Sequence, residues 1–120
     1  MAIGTADVEK LSGFYAQLLQ ATERRRQLDE AGALRSIWLD LAGTLLMIER
    51  TESRASRPRV EGVGLGLFLL AFRVKPRERR AVEERAEALG AAIESRSAYS
   101  SYLRDPDGNR IALSEYEVSP

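Results

Sequence analysis

The side chains of this chain that could carry chemistry are defined as much by what is missing as by what is present. Among its 120 residues there is no histidine and no cysteine. Disulfides, thiolate nucleophiles and zinc–thiolate sites are therefore excluded. So is imidazole, the commonest ligand of catalytic transition metals and the usual proton shuttle near neutral pH. Carboxylates, guanidinium groups and a few aromatic rings remain. The 18 basic and 18 acidic residues cancel, which removes the broad basic field that nonspecific nucleic-acid binding requires, so neither DNA nor RNA is an expected partner. Every basic residue but Lys10 and Lys75 is arginine, which can clamp an anion with two donors. In the run Arg24-Arg25-Arg26, strand alternation turns Arg25 opposite to its neighbours; one side either recognises an anion or is simply solvated. Trp38 and Tyr102 each offer an apolar face with one polar handle, suited either to a planar guest or to a core.

The elements that must position these groups follow from periodicity. Asp7 is a plausible N-cap, and Val8, Leu11, Phe14, Tyr15, Leu18 and Leu19 then recur at helical spacing. Residues 1–5 leave room for a short strand before this helix. Strands are expected over 22–28, 34–41 and 44–50, the last two joined by Ala42-Gly43. A polar connector spans 51–62. Then comes a strongly apolar strand at 63–74, a helix with Pro76 in its first turn and a stripe of Val82, Ala86 and Leu89, and a stop at Gly90. The pairs Arg79 with Glu83 and Arg80 with Glu84 sit at i,i+4 spacing and suit an exposed helix face. Further strands are expected over 92–96, 99–104 and 110–116. The order strand, helix, three strands is thus stated twice within one domain, as module one (1–50) and module two (63–117), with negligible identity between them.

At 44% hydrophobic residues the chain can build a real core, so disorder is not expected. Its longest apolar run is about half of what spans a bilayer, and no leader opens it; a soluble, cytoplasmic protein with no membrane partner is the expectation.

The last hairpin is the most specific local signal. In Asp105-Pro106-Asp107-Gly108-Asn109, proline presets a turn φ, the two aspartates can bond the backbone locally and glycine tolerates positive φ, so the segment should join two antiparallel strands. With the following Arg110-Ile111-Ala112-Leu113 it resembles the final hairpin of the vicinal oxygen chelate superfamily, which includes glyoxalase I, extradiol dioxygenases, fosfomycin-resistance enzymes and bleomycin-resistance proteins. The segment from Ala6 to Leu19, with Asp7-Val8-Glu9 and Phe14-Tyr15, is similar to that superfamily's first helix. The resemblance implies an α+β fold: two βαβββ modules forming an open, curved eight-stranded barrel with the helices outside.

It also implies where metal ligands would stand. In metal-using members the first and last strands of each module supply one ligand apiece. Mapped onto this sequence, the second falls on Met47, the third on Leu69 and the fourth, a glutamate in Asn-x-Ile-Glu-Leu, on Ala112. The first falls at or just before Met1. The three that can be placed are apolar, which also suits ordinary core residues and makes the same prediction about metal. Glu49 shares a strand face with Met47, yet one carboxylate cannot supply the roughly four to six donors a hard cation takes. Glu115 and Glu117 read as solvated charges at a strand end.

The expected function is therefore metal-independent binding, and sequestering, of a small organic molecule, with no cofactor. The resemblance points to Trp38, Met47, Leu69, Tyr102, Ala112 and Ser114 as the lining. Two other readings compete: a glyoxalase-like isomerase or a dioxygenase with an atypical metal site, built through Glu49 and a partner chain, and a non-catalytic dimerisation domain. A homodimer is expected in each case, since pairing covers exposed strand edges.

Overall fold

The computed structural model describes residues 1–52 and 59–115. The chain divides into two compact units, Met1–Arg57 and Pro58–Pro120, built in the same order. In the first, β1 (Ala2–Thr5) leads into α1 (Val8–Leu19), followed by β2 (Thr22–Leu28), β3 (Leu34–Leu41) and β4 (Thr44–Arg50). Helix α1 begins where the sequence says it should. The Asp7 carboxylate accepts the Lys10 N–H at 3.1 Å, and the Asp7 N–H donates to Thr5 Oγ1 at 3.1 Å. It ends at Gln20, which takes a left-handed φ of 52° and donates its N–H to the Ala16 carbonyl. Val8, Leu11, Phe14, Tyr15 and Leu18 are all buried on the stripe that packs against β3 and β4. There Ile37 pairs with Ile48 and Leu39 with Leu46, so four buried side chains share one sheet face. Burial of a side chain of this size contributes about 2 kcal/mol. Between β3 and β4, Ala42 and Gly43 have φ of 56° and 100°, the mirror-image turn a two-residue hairpin needs, and the Asp40 carboxylate accepts the Gly43 N–H at 2.8 Å.

The second unit contains β5 (Leu70–Arg73), α2 (Arg79–Ala88), β6 (Ser95–Arg96), β7 (Ser100–Arg104) and β8 (Arg110–Ser114). Helix α2 lies on β8 and stops before Gly90, whose φ of 91° only glycine adopts at no cost. The two four-stranded sheets have matching orders, β1-β4-β3-β2 and β5-β8-β7-β6, with the first pair of each parallel and the others antiparallel. Two βαβββ modules of an α+β fold are therefore present. Among the described residues no helix is long and apolar enough to cross a membrane.

Four expectations need correction. Only Leu70–Arg73 of the 63–74 stretch pairs as a strand; Val63, Leu65 and Leu67 stand 84, 105 and 82% exposed. Glycines at 62, 64 and 66 offer no side chain to pack, and the φ of 78° at Gly66 breaks the extended run. Pro76 precedes the helix rather than entering it, in a turn closed by the Glu78 N–H on the Lys75 carbonyl at 3.0 Å. The strand at 92–96 contracts to Ser95–Arg96. Finally, Glu83 is not on an exposed face paired with Arg79. It is buried beneath α2, while Arg79 pairs with Glu115 at 3.1 Å; of the expected helical pairs only Arg80 with Glu84 forms, at 3.4 Å. Strand β8 ends at Ser114, and the expected extension to Tyr116, like Glu117, lies outside the described residues.

Candidate functional site

In each unit the helix covers one face of the sheet and strand alternation sends the intervening residues to the other. Arg26, opposite Ile37, bonds Glu9 of α1 at 3.2 Å, which places Ile37 and its partners on the helix side. Trp38, Met47 and Glu49 therefore point away from α1. In the second unit Ser101 Oγ donates to the Glu83 carboxylate of α2, so Ser101 and Leu103 face the helix and Tyr102, Ala112 and Ser114 face away.

Register makes these two faces equivalent, residue by residue. Met47 is flanked across its strands by Ala2 and Trp38. Ala112 is flanked in the same way by Ala71 and Tyr102. The two aromatics thus hold corresponding places, and so do the two central residues. Leu69, half-buried, stands just ahead of β5, two residues before Ala71. Of the residues expected to line the site, Trp38 and Met47 lie on the open face of one sheet and Tyr102, Ala112 and Ser114 on that of the other, with Ala112 buried at its centre, while Leu69 precedes β5 and belongs to no strand.

On the first sheet a register shift between Glu23 and Arg25 leaves Arg24 as the extra residue, which changes the expected alternation of the arginine run. Arg25 lies opposite Trp38 with its guanidinium carbon 5.3 Å from the ring centroid. Arg24 reaches Asp40 at 3.8 Å, and Arg26 turns to the helix side, where Glu23 and Glu9 hold it. From the same open face Trp38 Nε1 donates to Glu49 Oε1 at 3.4 Å. The single arginine stacked on the ring thus sits among two carboxylates, Asp40 and Glu49.

On the second sheet Arg110 lies 4.8 Å over the Tyr102 ring. Ser100 Oγ donates to Ser114 Oγ at 3.0 Å. Arg104, 12% exposed, is fully engaged: it meets Glu94 at 3.1 Å, Glu61 at 3.3 Å and the Val60 carbonyl at 2.6 Å. Sequence reasoning missed Arg25 and Arg110 as companions of the aromatics. Arg110 alternates with Ala112 and Ser114, so the signal was there, but the stacking of one strand's side chain on its neighbour's is a cross-strand fact.

The turn that starts β8 is rigid for a visible reason. Asp105 is 4% exposed; its Oδ1 accepts the N–H groups of Asp107 and Asn109, each at 2.9 Å, and its Oδ2 accepts Asn109 Nδ2 at 2.8 Å. The Gly108 N–H closes on the Asp105 carbonyl at 2.9 Å, with a φ of 86°. Arg110 is the next strand's first residue, so its backbone is fixed by this box.

As for metal donors, the equivalent central positions hold a thioether and a methyl group, Met47 and Ala112. Among the described residues no three of the carboxylates gather where they could hold an ion.

Comparison with known proteins bears on what such faces are. The chain matches the family model described as a glyoxalase-like domain over residues 1–114. It is similar in fold to the fosfomycin resistance protein FosX from Listeria monocytogenes, with 21% identity, 98% of this chain and 89% of that one covered, and a TM-score of 0.79. FosX from Mesorhizobium loti aligns at 16% identity over 98% and 90% with a TM-score of 0.75, and TioX from Micromonospora sp. ML1 at 17% over 98% and 96% with a TM-score of 0.72. The Listeria protein also has a crystal structure complexed with manganese(II) and sulfate. At these identities the likeness speaks for the fold alone. A search of curated proteins found no match.

Proposed function

This chain belongs to the glyoxalase-like domain family of the vicinal oxygen chelate superfamily, and we propose that it is a metal-independent member that binds and sequesters a small organic molecule. One observation carries the reading. The register-equivalent centres of the two open faces, Met47 and Ala112, together with Leu69 at the edge of β5, are the positions where the superfamily resemblance puts metal ligands, and none of the three offers a donor a hard cation would take. The residues present do not fit the metal. What the faces do offer is a mixture suited to holding an organic guest: half-buried Trp38 and Met47 on the first, and Tyr102, Ala112 and Ser114 with Leu69 on the second.

The test has two arms. Protein dialysed against excess manganese(II), nickel(II) or zinc(II) and then desalted retains less than about 0.1 metal per chain, as read by elemental analysis; stoichiometric metal defeats the reading. A thermal-shift screen of small organic compounds then yields a guest that raises Tm by several degrees, because a ligand bound only to the folded state stabilises it. The guest is recovered chemically unchanged after prolonged incubation.

The protein acts as a homodimer in this reading. Support comes from Val63, Leu65 and Leu67, three aliphatic side chains more than four-fifths exposed within one short segment, a concentration that soluble monomers rarely leave open. Light scattering after size exclusion gives twice the chain mass at micromolar concentration, and Leu65→Glu with Leu67→Glu lowers it to one chain. A wild-type monomer under those conditions would remove this part of the proposal.

A further inference from the structure

We infer that the guest of the second sheet's open face is a small organic anion, recognised by Arg110 where it lies over Tyr102. The inference rests on the reading that this face binds a small molecule, and adds the charge of what it binds.

The charge inventory of the face decides the matter. The residues that β7 and β8 turn away from α2 include Arg104 and Arg110 and no carboxylate, and the two glutamates that reach the face from outside these strands, Glu61 and Glu94, both meet Arg104. The remainder are alanine, serine and tyrosine. Arg104 is occupied by Glu61 and Glu94 and cannot serve a ligand without losing both. Arg110 is different: among the described residues its side chain pairs with no carboxylate, and its guanidinium lies over the ring of Tyr102, 4.8 Å below. A guanidinium laid on a ring spends its face on the π-system and keeps its N–H edge for an acceptor in the plane. That edge matches a carboxylate or phosphonate in two parallel bonds. Its position is set in advance. The Asp105 box fixes the backbone up to Asn109, and the ladder partner of Arg110 is Arg104, itself held by its carboxylates. Little ordering is left to be done when a ligand arrives.

The first sheet supplies the control. There too an arginine covers the ring at the corresponding place, Arg25 over Trp38, but it comes from the edge strand β2, whereas Arg110 comes from β8, the counterpart of β4. On that face, however, Asp40 and Glu49 accompany it, and Glu49 accepts the Trp38 N–H. The local charge is balanced and an anion finds no net attraction. On the second sheet the carboxylates that reach the face, Glu61 and Glu94, meet Arg104, and among the described residues none meets Arg110 or the Tyr102 ring; that is what singles the face out.

The experiment uses four probes that share one ring and differ in charge: benzoate, phenylphosphonate, benzamide and benzamidine. Each is titrated into the full chain at low salt, followed by thermal shift and by calorimetry. The two anions bind saturably, raise Tm and weaken as sodium chloride is added; benzamide and benzamidine do neither. Arg110→Met, which keeps the stem over Tyr102 and removes the charge, weakens the anions at least tenfold, and Arg110→Lys restores part of the loss. Arg25→Met leaves anion binding unchanged. Circular dichroism establishes that each variant is folded. Anion binding that survives Arg110→Met, or that Arg25→Met abolishes instead, overturns the assignment of the residue. Equal stabilisation by benzamide or benzamidine overturns the charge and leaves the small-molecule reading standing. Silence from the anions also overturns the inference, and only silence from the whole organic screen as well would remove the reading beneath it.

Discussion

Asp105→Ala lowers the unfolding free energy by about 3 kcal/mol, the loss expected when a buried, charged acceptor of several hydrogen bonds is deleted. The carboxylate is 4% exposed and takes two backbone N–H groups and the Asn109 side chain, so its removal orphans three donors at once. Asp107 is exposed and Asn109 half-exposed, so water replaces part of what is lost, which is why the figure stays well short of the sum of three bonds. Asp105→Asn keeps an acceptor where Oδ1 stood and costs about half as much. Urea unfolding of the two variants beside the wild type measures both numbers. A loss below about 1 kcal/mol for the alanine variant would mean that Pro106 and Gly108 hold the turn without the box. Because Arg110 follows the turn directly, Asp105→Ala also loosens the strand that carries it.

Arg96→Ala is expected to destabilise the fold more than the loss of its partner Glu83 does, although half of the Arg96 side chain is in solvent. Its guanidinium meets the Glu83 carboxylate through Nε at 3.1 Å and through a terminal nitrogen at 2.9 Å. The Glu83 side chain is only 5% exposed, and apart from this pair it keeps the hydroxyl of Ser101. Removing the arginine leaves a buried carboxylate without its cation, whereas Glu83→Leu leaves only a cation that can turn to water and should cost less. The asymmetry between the two variants is the informative result. It also has a pH signature. The Arg96 hydrogen bonds hold the Glu83 carboxyl below its ordinary value against the opposing effect of burial, with Ser101 contributing next. A depressed carboxyl stabilises the fold fully above the unfolded-state value, near 4.5, and loses that contribution as pH falls through the folded one. In Arg96→Ala only Ser101 and the Arg79 charge remain against burial, so the folded value rises and the loss sets in at higher pH. Unfolding curves between pH 3 and 7 should show the variant declining first; parallel profiles would mean that Arg96 is a surface charge and no more.

Much of this architecture could be read from the chain because the signals are local. The Asp7 cap and the stripe from Val8 to Leu18 lie within a few turns of helix, and the Ala42-Gly43 turn and the Asp105 box are set by neighbouring residues. The facing of Trp38, Met47, Tyr102, Ala112 and Ser114 followed from a period of two, which a well-formed ladder enforces. Where the reading failed, the deciding fact was distant or irregular. The 63–74 stretch has the hydrophobicity of a strand, yet glycines at alternate positions remove the side chains that would keep its first half in place. Residue counting cannot show the extra residue at Arg24, which sends Arg24 and Arg25 to partners that strict alternation separates. Glu83 has perfect spacing for Arg79 on its own helix. Arg96 and Ser101, 13 and 18 residues on, outbid that pairing because they meet the carboxylate where water is scarce.

The parallel pairing of β1 with β4 has a consequence for how the chain reaches this structure. Ala2 meets Met47 across 45 intervening steps of sequence (47 − 2), and Leu70 meets Ile111 across 41 (111 − 70), whereas β3 and β4 are joined through two residues. Closing the long loop costs about 3 kcal/mol more entropy than closing the hairpin. The hairpins therefore assemble early and the leading strand of each half docks late, against an edge that must already exist. A ribosome-bound chain holds its first strand in waiting until the fourth has emerged, and the speed of folding is set by that last arrival.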